Sequence, residues 1–308
     1  MKNFINISDH SSGDLRAIID EAKTRKLSRK GFNKSAPDDD KPFEGMSMAM
    51  IFEKPSTRTR MSFDIAAKQL GGSSIILNPD GIHYGKGDET LKDTAKVLTE
   101  YVDIVMLRTS SHKYLEEFGK HLDIPIINGL SDKSHPCQIM SDILTYEESN
   151  GLITGKTVSW LGDGDNNMSN SLIEAAGKFK FNLKIGCPKK YAPGKKILGW
   201  AKKNNVNLLI TQKPDEAVKN SDCVMTDKWV SMNDKVNKKT KKKVLKPFQV
   251  NKKLMKKANS NAIFMHCLPV GRGEEVTDEV IDGKQSVVWR QALNRVHAQK
   301  SIIKWCLD

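Results

Sequence analysis

No stretch of the 308-residue chain approaches the roughly 20 consecutive apolar residues that a bilayer span requires; the run Met46–Phe52 is only strand-sized. The first ten residues lack a basic region followed by an apolar one, so no secretory signal is expected and a soluble cytoplasmic protein is. Cysteine is sparse and scattered: Cys137, Cys187, Cys223, Cys267 and Cys306 contain no Cys-x-x-Cys pair. That pattern argues against a disulfide framework and a structural zinc site, and suits buried small hydrophobes. Acidic residues are missing altogether from Lys235 through Gly273.

What is present is a globular composition, 38% hydrophobic and 28% charged, which excludes disorder. The length admits about two domains. The chain carries 50 Lys+Arg against 37 Asp+Glu, a net charge of +13. Eleven of the lysines fall between Lys235 and Lys257. A basic excess fits a nucleic acid or an anionic small molecule. The run has one aromatic, Phe248, and no nucleic-acid-binding motif accompanies it, so it reads as a solvated, mobile lysine face. A lysine-rich nucleic-acid-binding protein is the alternative from a different class.

Short apolar runs alternate with stretches of helical period, which predicts an α/β fold with a mostly parallel sheet in each of two domains. Strands are expected at Ser47–Phe52, Ser74–Leu77, Ile104–Leu107, Pro125–Ile127, Thr157–Leu161, Leu183–Cys187, Asn207–Ile210, Cys223–Thr226 and Ala262–His266. Helical patterns cover Met61–Leu70, Glu89–Tyr101, Gln138–Ser149, Asn170–Phe179, Lys195–Lys203 and Asn251–Ala258. An N-terminal stripe of Leu15, Ile18, Ile19 and Ala22 follows caps at Ser11/Ser12. Asn150-Gly151 marks a domain boundary, giving domains at 1–150 and 151–285 and a long C-terminal helical pattern at 286–308.

The densest chemical signal is Glu53-Lys54-Pro55-Ser56-Thr57-Arg58-Thr59-Arg60, between a strand and a helix. Pro55 breaks the strand and Ser56/Thr57 supply caps. The free N–H groups of a helix start then face outward, with the positive end of its dipole behind them. Arg58 adds a planar fork suited to two phosphate oxygens. His135-Pro136-Cys137-Gln138 opens another helix, where a neutral imidazole can donate one N–H to a carbonyl oxygen and Gln138 can bond an amide. Arg108 ends a strand at the same carboxyl edge, where open α/β sheets place ligands. These loops converge on an anionic ligand bearing a carbonyl.

In the second half Gly162-Asp163-Gly164-Asp165-Asn166-Asn167 follows a strand, but Asn167 stands where a dinucleotide fingerprint needs its third glycine. Asp227-Lys228-Trp229-Val230-Ser231-Met232 and His266-Cys267-Leu268-Pro269 each follow a further strand. Asp227 and Cys267 supply a carboxylate and a thiol.

Taken in order, Ser56-Thr57-Arg58-Thr59-Arg60, His135-Pro136-Cys137-Gln138, Asp227-x-x-x-Ser231-Met232, His266-Cys267-Leu268-Pro269 and Leu293-Asn294-Arg295-Val296-His297-Ala298 resemble the motifs of ornithine carbamoyltransferases. The resemblance runs from Asp14 to the last helix. It implies a carbamoyl phosphate domain, an ornithine domain, and a last helix that returns to the first. It also implies transfer of a carbamoyl group to the δ-amine of ornithine within arginine biosynthesis, without a cofactor. Ser56, Thr57, Arg58 and Thr59 would hold the phosphate. Arg108, His135 and Gln138 would meet the carbamoyl group, with His83, Pro136, Cys137, Cys267, Leu268 and Arg295 completing that site. Arg58, Arg108, His135 and Cys267 would be catalytic, and Asn167, Asp227, Ser231 and Met232 would hold ornithine. The partners implied are these two substrates and further copies of the chain, in a homotrimer or a multiple of trimers, without nucleic acid or membrane. His83 stands where the family often has Gln, and Asn233 where it has Gly. Putrescine, N-acylated ornithine and aspartate are the alternative acceptors.

Overall fold

The computed structural model describes residues 2–78, 89–230 and 237–308. His83, Ser231, Met232 and Asn233 lie outside the described residues. The chain divides into two compact units, Met1–Leu144 with Leu293–Asp308, and Thr145–Ala292. The expected boundary at Asn150-Gly151 lies at the end of the helix in which the first unit gives way to the second.

In the first unit the strands are β1 (Ser47–Phe52), β2 (Ser73–Leu77), β3 (Ile104–Arg108) and β4 (Ile126–Leu130). They form a parallel sheet in the order β2-β1-β3-β4. Its helices are α1 (Ser12–Ser28), α2 (Thr57–Gln69), α3 (Leu91–Tyr101), α4 (His112–His121) and the start of α5 (Pro136–Asn150). Crossover helices cover the sheet, which is why β1 and β3 read as near-continuous apolar runs. Ala49, Ile51, Val105, Leu107 and Ile126 pack with Ala95 and Leu98 of α3 and with Leu115 and Phe118 of α4. Each such Leu, Ile or Phe contributes about 1.5–3 kcal/mol by leaving water. α4 has no counterpart among the predicted helices.

The second unit holds β5 (Thr157–Leu161), β6 (Asn182–Gly186), β7 (Leu208–Thr211), β8 (Cys223–Thr226) and β9 (Ile263–His266), parallel in the order β7-β6-β5-β8-β9. Its helices are α6 (Asn167–Phe179), α7 (Lys195–Lys203), α8 (Pro214–Val218), α9 (Lys238–Leu245), α10 (Lys252–Met255) and α11 (Asp278–Ile281). The lysine run departs from its expected form. Asn237 caps α9 by accepting the amide N–H groups of Lys239 and Thr240 (3.0 and 3.3 Å), and Lys241 within it is buried. Lysine is a good helix former, and one face of the run carries Lys241 and Leu245 inward.

The last helix, α12 (Val288–Leu307), contributes its residues from Leu293 onward to the first unit. Lys300 is fully buried there, with Nζ 2.6 Å from an Asp38 carboxylate oxygen and 3.1 Å from Gln69 Oε1. Asp38 also receives Arg25 (3.0 Å) and Arg29 (2.6 Å). Burial alone would raise the Asp38 carboxyl, but hydrogen bonds from Lys300 and Arg29 outweigh it and hold the group below its usual range. Lys26 Nζ donates to Asn294 Oδ1 at 2.7 Å. These contacts fix the helix register that delivers Arg295.

Both sheets reverse their strand order once, between β1 and β3 in the first unit and between β5 and β8 in the second. In open α/β sheets, ligands bind at the carboxyl ends of strands at such switch points.

Candidate active site

At the first switch point β1 ends at Phe52 and β3 at Arg108. The Glu53 amide donates to the Arg108 carbonyl (3.0 Å), and the Glu53 carboxylate receives the Thr109 hydroxyl (2.6 Å) and the Ser110 amide (3.1 Å). Glu53, which the sequence reading left without a role, straps the two strand ends together. Ser56 caps α2, its hydroxyl accepting the Thr59 amide at 3.3 Å. Thr57 and Arg58 therefore occupy the first helical positions, where amide N–H groups have no partner within the helix.

Thr59 is buried, and its hydroxyl oxygen accepts N–H groups from both Arg108 (3.1 Å) and Arg295 (3.0 Å). Arg295 also donates to Gln138 Oε1 at 3.1 Å, and Gln138 Nε2 donates to Asp142 (2.8 Å). Two guanidinium groups are thus held side by side at the mouth of α2. Arg58 is half-buried and has no hydrogen-bond or ion-pair partner among the described residues. Arg60 is turned away, its guanidinium 4.8 Å from the centre of the Phe52 ring and bonded to Asn78.

His135 precedes α5, its carbonyl accepting the Gln138 and Ile139 amides. Burial, then the positive charges of Arg295, Arg108 and Arg58, drive its imidazole well below the usual range. The ring is neutral and can donate one N–H to a carbonyl oxygen. Pro136, the first residue of α5, has no N–H to offer. The Cys137 side chain points into the core, where its thiol donates to the Asn128 carbonyl (3.4 Å) and burial pushes it up to about 12. Cys137 therefore gives this site no side chain.

At the second switch point, β5 runs into Gly162, whose φ of +119° is the left-handed backbone that glycine tolerates. A Cβ there would lie 3.1 Å from Trp229 Nε1. The buried Trp229 of the loop after β8 thus packs onto the loop after β5. Asn166 caps α6 by accepting the Ser169 amide (2.9 Å), placing Asn167 at the first helical position. The Asp227 carboxylate accepts the Lys228 amide at 2.7 Å and the Cys267 thiol at 3.2 Å.

His266 is fully buried. Its Nε2 lies 3.2 Å from Glu275 Oε1 and its Nδ1 accepts the Leu268 amide at 2.9 Å. Leu268 adopts φ +59°, a conformation costing a non-glycine residue roughly 1–2 kcal/mol and maintained by that bond. Ligand atoms of Asp227, His266 and Cys267 lie within 4.8 Å of one another, a grouping that spacing in the sequence did not reveal. Both ring nitrogens of His266 are already engaged, so the donor set does not fit a metal centre. His266 instead serves as the peg of the Cys267-Leu268 turn.

Residues 2–148 match the carbamoyl-P binding domain, and residues 154–306 the Asp/Orn binding domain, of aspartate/ornithine carbamoyltransferases. The chain belongs to the aspartate/ornithine carbamoyltransferase family. It is 49% identical over 308 residues to an ornithine carbamoyltransferase of Brucella ovis, covering 100% of this chain and 96% of that protein. The structure of the ornithine carbamoyltransferase from Pyrococcus furiosus superposes with a TM-score of 0.91 at 41% identity, covering 98% of this chain and 96% of that one. The anabolic ornithine carbamoyltransferase from Campylobacter jejuni does so with a TM-score of 0.89 at 35% identity, covering 99% of each chain.

Proposed function

We propose that this protein transfers the carbamoyl group of carbamoyl phosphate to the δ-amine of L-ornithine, giving L-citrulline and phosphate. The observation that carries this reading is the convergence of Arg108 and Arg295 on Thr59, with Arg58 at the start of the same helix and the neutral His135 beside them. Ser56, Thr57, Arg58 and Thr59 hold the phosphate through the α2 N-terminus, a ready anion site. Arg108, His135 and Gln138 meet the carbamoyl group, with Arg295, Cys267 and Leu268 completing the contacts.

In the reaction the δ-amine lone pair attacks the carbamoyl carbon, and electron density moves onto the carbonyl oxygen. Collapse re-forms the carbonyl and breaks the bond to the phosphate oxygen, and the nitrogen's proton goes, in the balance, to the departing phosphate. Donors aimed at the growing negative charge supply the largest catalytic contribution, roughly 3–4 kcal/mol for each one. Holding the reactants in a fixed geometry replaces a bimolecular encounter. Asp227 binds the α-ammonium of ornithine, Asn167 and Ser231 bond its α-carboxylate, and the Cys267 thiol, bonded to Asp227, lies beside the amine.

We place the protein in the cytoplasm, in arginine biosynthesis and as a homotrimer. No helix of the described residues is long and apolar enough to cross a membrane. The edge strand β2 leaves Ile75 and Ile76 49% and 42% exposed, and Tyr101 of α3 is 75% exposed, which suits burial against another copy. Release of phosphate and formation of the carbamoylated acceptor by purified protein, offered ornithine, putrescine, N-acetylornithine or aspartate with carbamoyl phosphate, test the reading. Ornithine is expected to be preferred by at least about a hundredfold in kcat/KM, because buried groups built for a polar substrate lie unpaired against an analogue lacking it. Equal use of putrescine or aspartate would overturn the acceptor assignment.

A further inference from the structure

Among the described lysines of the run, Lys241 is the buried one, whereas Lys238, Lys239, Lys243, Lys252 and Lys253 are exposed. Lysine is almost never buried unless its charge is paired. The Lys241 ammonium lies 2.6 Å from Asp163 Oδ2 and 5.2 Å from the centre of the Tyr191 ring. Asp163, itself buried, belongs to the loop between β5 and α6.

That loop is organised around Asp163. Its second carboxylate oxygen accepts the Asp165 amide (3.0 Å), and its carbonyl accepts Trp160 Nε1–H (2.8 Å) and Asn166 Nδ2–H (3.1 Å). The Gly164 amide donates to the Tyr191 carbonyl (2.9 Å), so the ring beneath the ammonium is tied to the same loop. Tyr191, Trp229 and Leu245 of α9 form one apolar cluster, with Val230 against it. α9 thus holds the acceptor-side loops in two ways, by an ammonium in the loop after β5 and by a leucine under the Trp229 of the loop after β8.

We propose that Lys241 is a positioning residue for the amino-acid acceptor: its ion pair with Asp163 sets the loop that delivers Asn167, and its helix supports the loop that delivers Asp227. The inference rests on the ornithine reading given above and adds a residue to it. A buried ion pair is weak as a device for stability, because desolvation offsets its attraction, but it is well suited to fixing one arrangement among several. Asp163 and Tyr191, which the Lys241 ammonium meets, both belong to the second unit, so its loss is expected to fall on the acceptor and to leave carbamoyl phosphate use intact.

The test is steady-state kinetics, with each substrate varied in turn, on wild-type protein and on K241Q, D163N, K241R and the exposed control K243Q. K241Q and D163N are expected to raise the KM for ornithine by about tenfold or more, while the KM for carbamoyl phosphate stays within about twofold. K241R, which keeps the charge, recovers most of the loss, and K243Q matches wild type. If K241Q fails to fold, the isosteric D163N and the charge-conserving K241R carry the test. An ornithine KM within about twofold of wild type in D163N and in folded K241Q overturns the inference and leaves the proposed reaction standing. Equal losses toward both substrates, or no recovery in K241R, also overturn it. Wild-type protein that forms no citrulline overturns the reaction and this inference together.

Discussion

Arg295 reaches back 236 positions along the chain to place its guanidinium 3.0 Å from Thr59 Oγ1, the oxygen that Arg108 also grips. Thr59→Val keeps the shape of the side chain and removes the shared acceptor. Hydrogen bonds to charged groups contribute roughly 1.5–3 kcal/mol, so kcat/KM for carbamoyl phosphate is expected to fall about ten- to hundredfold. Initial rates with carbamoyl phosphate varied at saturating ornithine measure this, and a value at the wild-type level would show that the shared oxygen does not align the two arginines.

Arg58 has no partner among the described residues to lose. Arg58→Ala is therefore expected to leave the thermal midpoint unchanged while lowering kcat by about a hundred- to a thousandfold, the usual effect of deleting one donor to developing charge. A lowered midpoint with near-normal turnover would reverse this assignment and make the arginine a structural residue.

For the acceptor, Asp227→Asn preserves size and removes the charge that faces the Cys267 thiol. The KM for ornithine should rise at least about tenfold, with that for carbamoyl phosphate nearly constant. Calorimetric titration with norvaline, which keeps both α-groups and lacks the δ-amine, isolates the contact. Unchanged norvaline affinity would move the α-ammonium elsewhere.

Stability should depend on pH through His297. Burial, with the charges of Lys300, Lys26 and Arg29 around it, lowers this imidazole to about 3. In the unfolded chain it titrates near its ordinary value of about 6.5, so between these limits the unfolded state binds more protons. The native state is thus favoured above about pH 6.5 and loses up to roughly 1.4 kcal/mol per pH unit from this group as pH falls below it. Urea midpoints at about pH 7 and pH 5 give the slope, which His297→Phe is expected to reduce. An equal slope in the variant would assign the acid sensitivity to other groups.

The strand Ser47–Phe52 was legible because its apolar run has no polar alternation to confuse it, and both it and Thr157–Leu161 keep their expected bounds in the structure. α2 was legible from Pro55 and the Ser56 cap. α4 was missed although Leu115, Phe118 and Leu122 carry a helical spacing, because Lys113, Glu116, Glu117 and Lys120 dilute it. α9 was missed for a different reason: its period is carried by Lys241 and Leu245, and a lysine counts as an inward residue only once its partner is known. Asp163 is that partner, and it lies in a loop far earlier in the chain. The same holds for His266, read as part of a motif but acting through Glu275 and the Leu268 amide. Local pattern finds groups that stand at strand ends; it does not find the groups that hold them there.

The return of the last helix to the first unit has a consequence for the newly made chain. Ser56, Arg58, Thr59, Arg108, His135 and Gln138 are all polymerised before the second unit is begun, but Arg295 is added after nearly all of it. A nascent chain, or a fragment that stops before Leu293, has a first sheet without the guanidinium that bridges Thr59 and Gln138. The cluster of Thr59, Arg108, Gln138 and Arg295 is therefore completed last, and under the proposed assignment an unfinished polypeptide on the ribosome is expected to be unable to use carbamoyl phosphate.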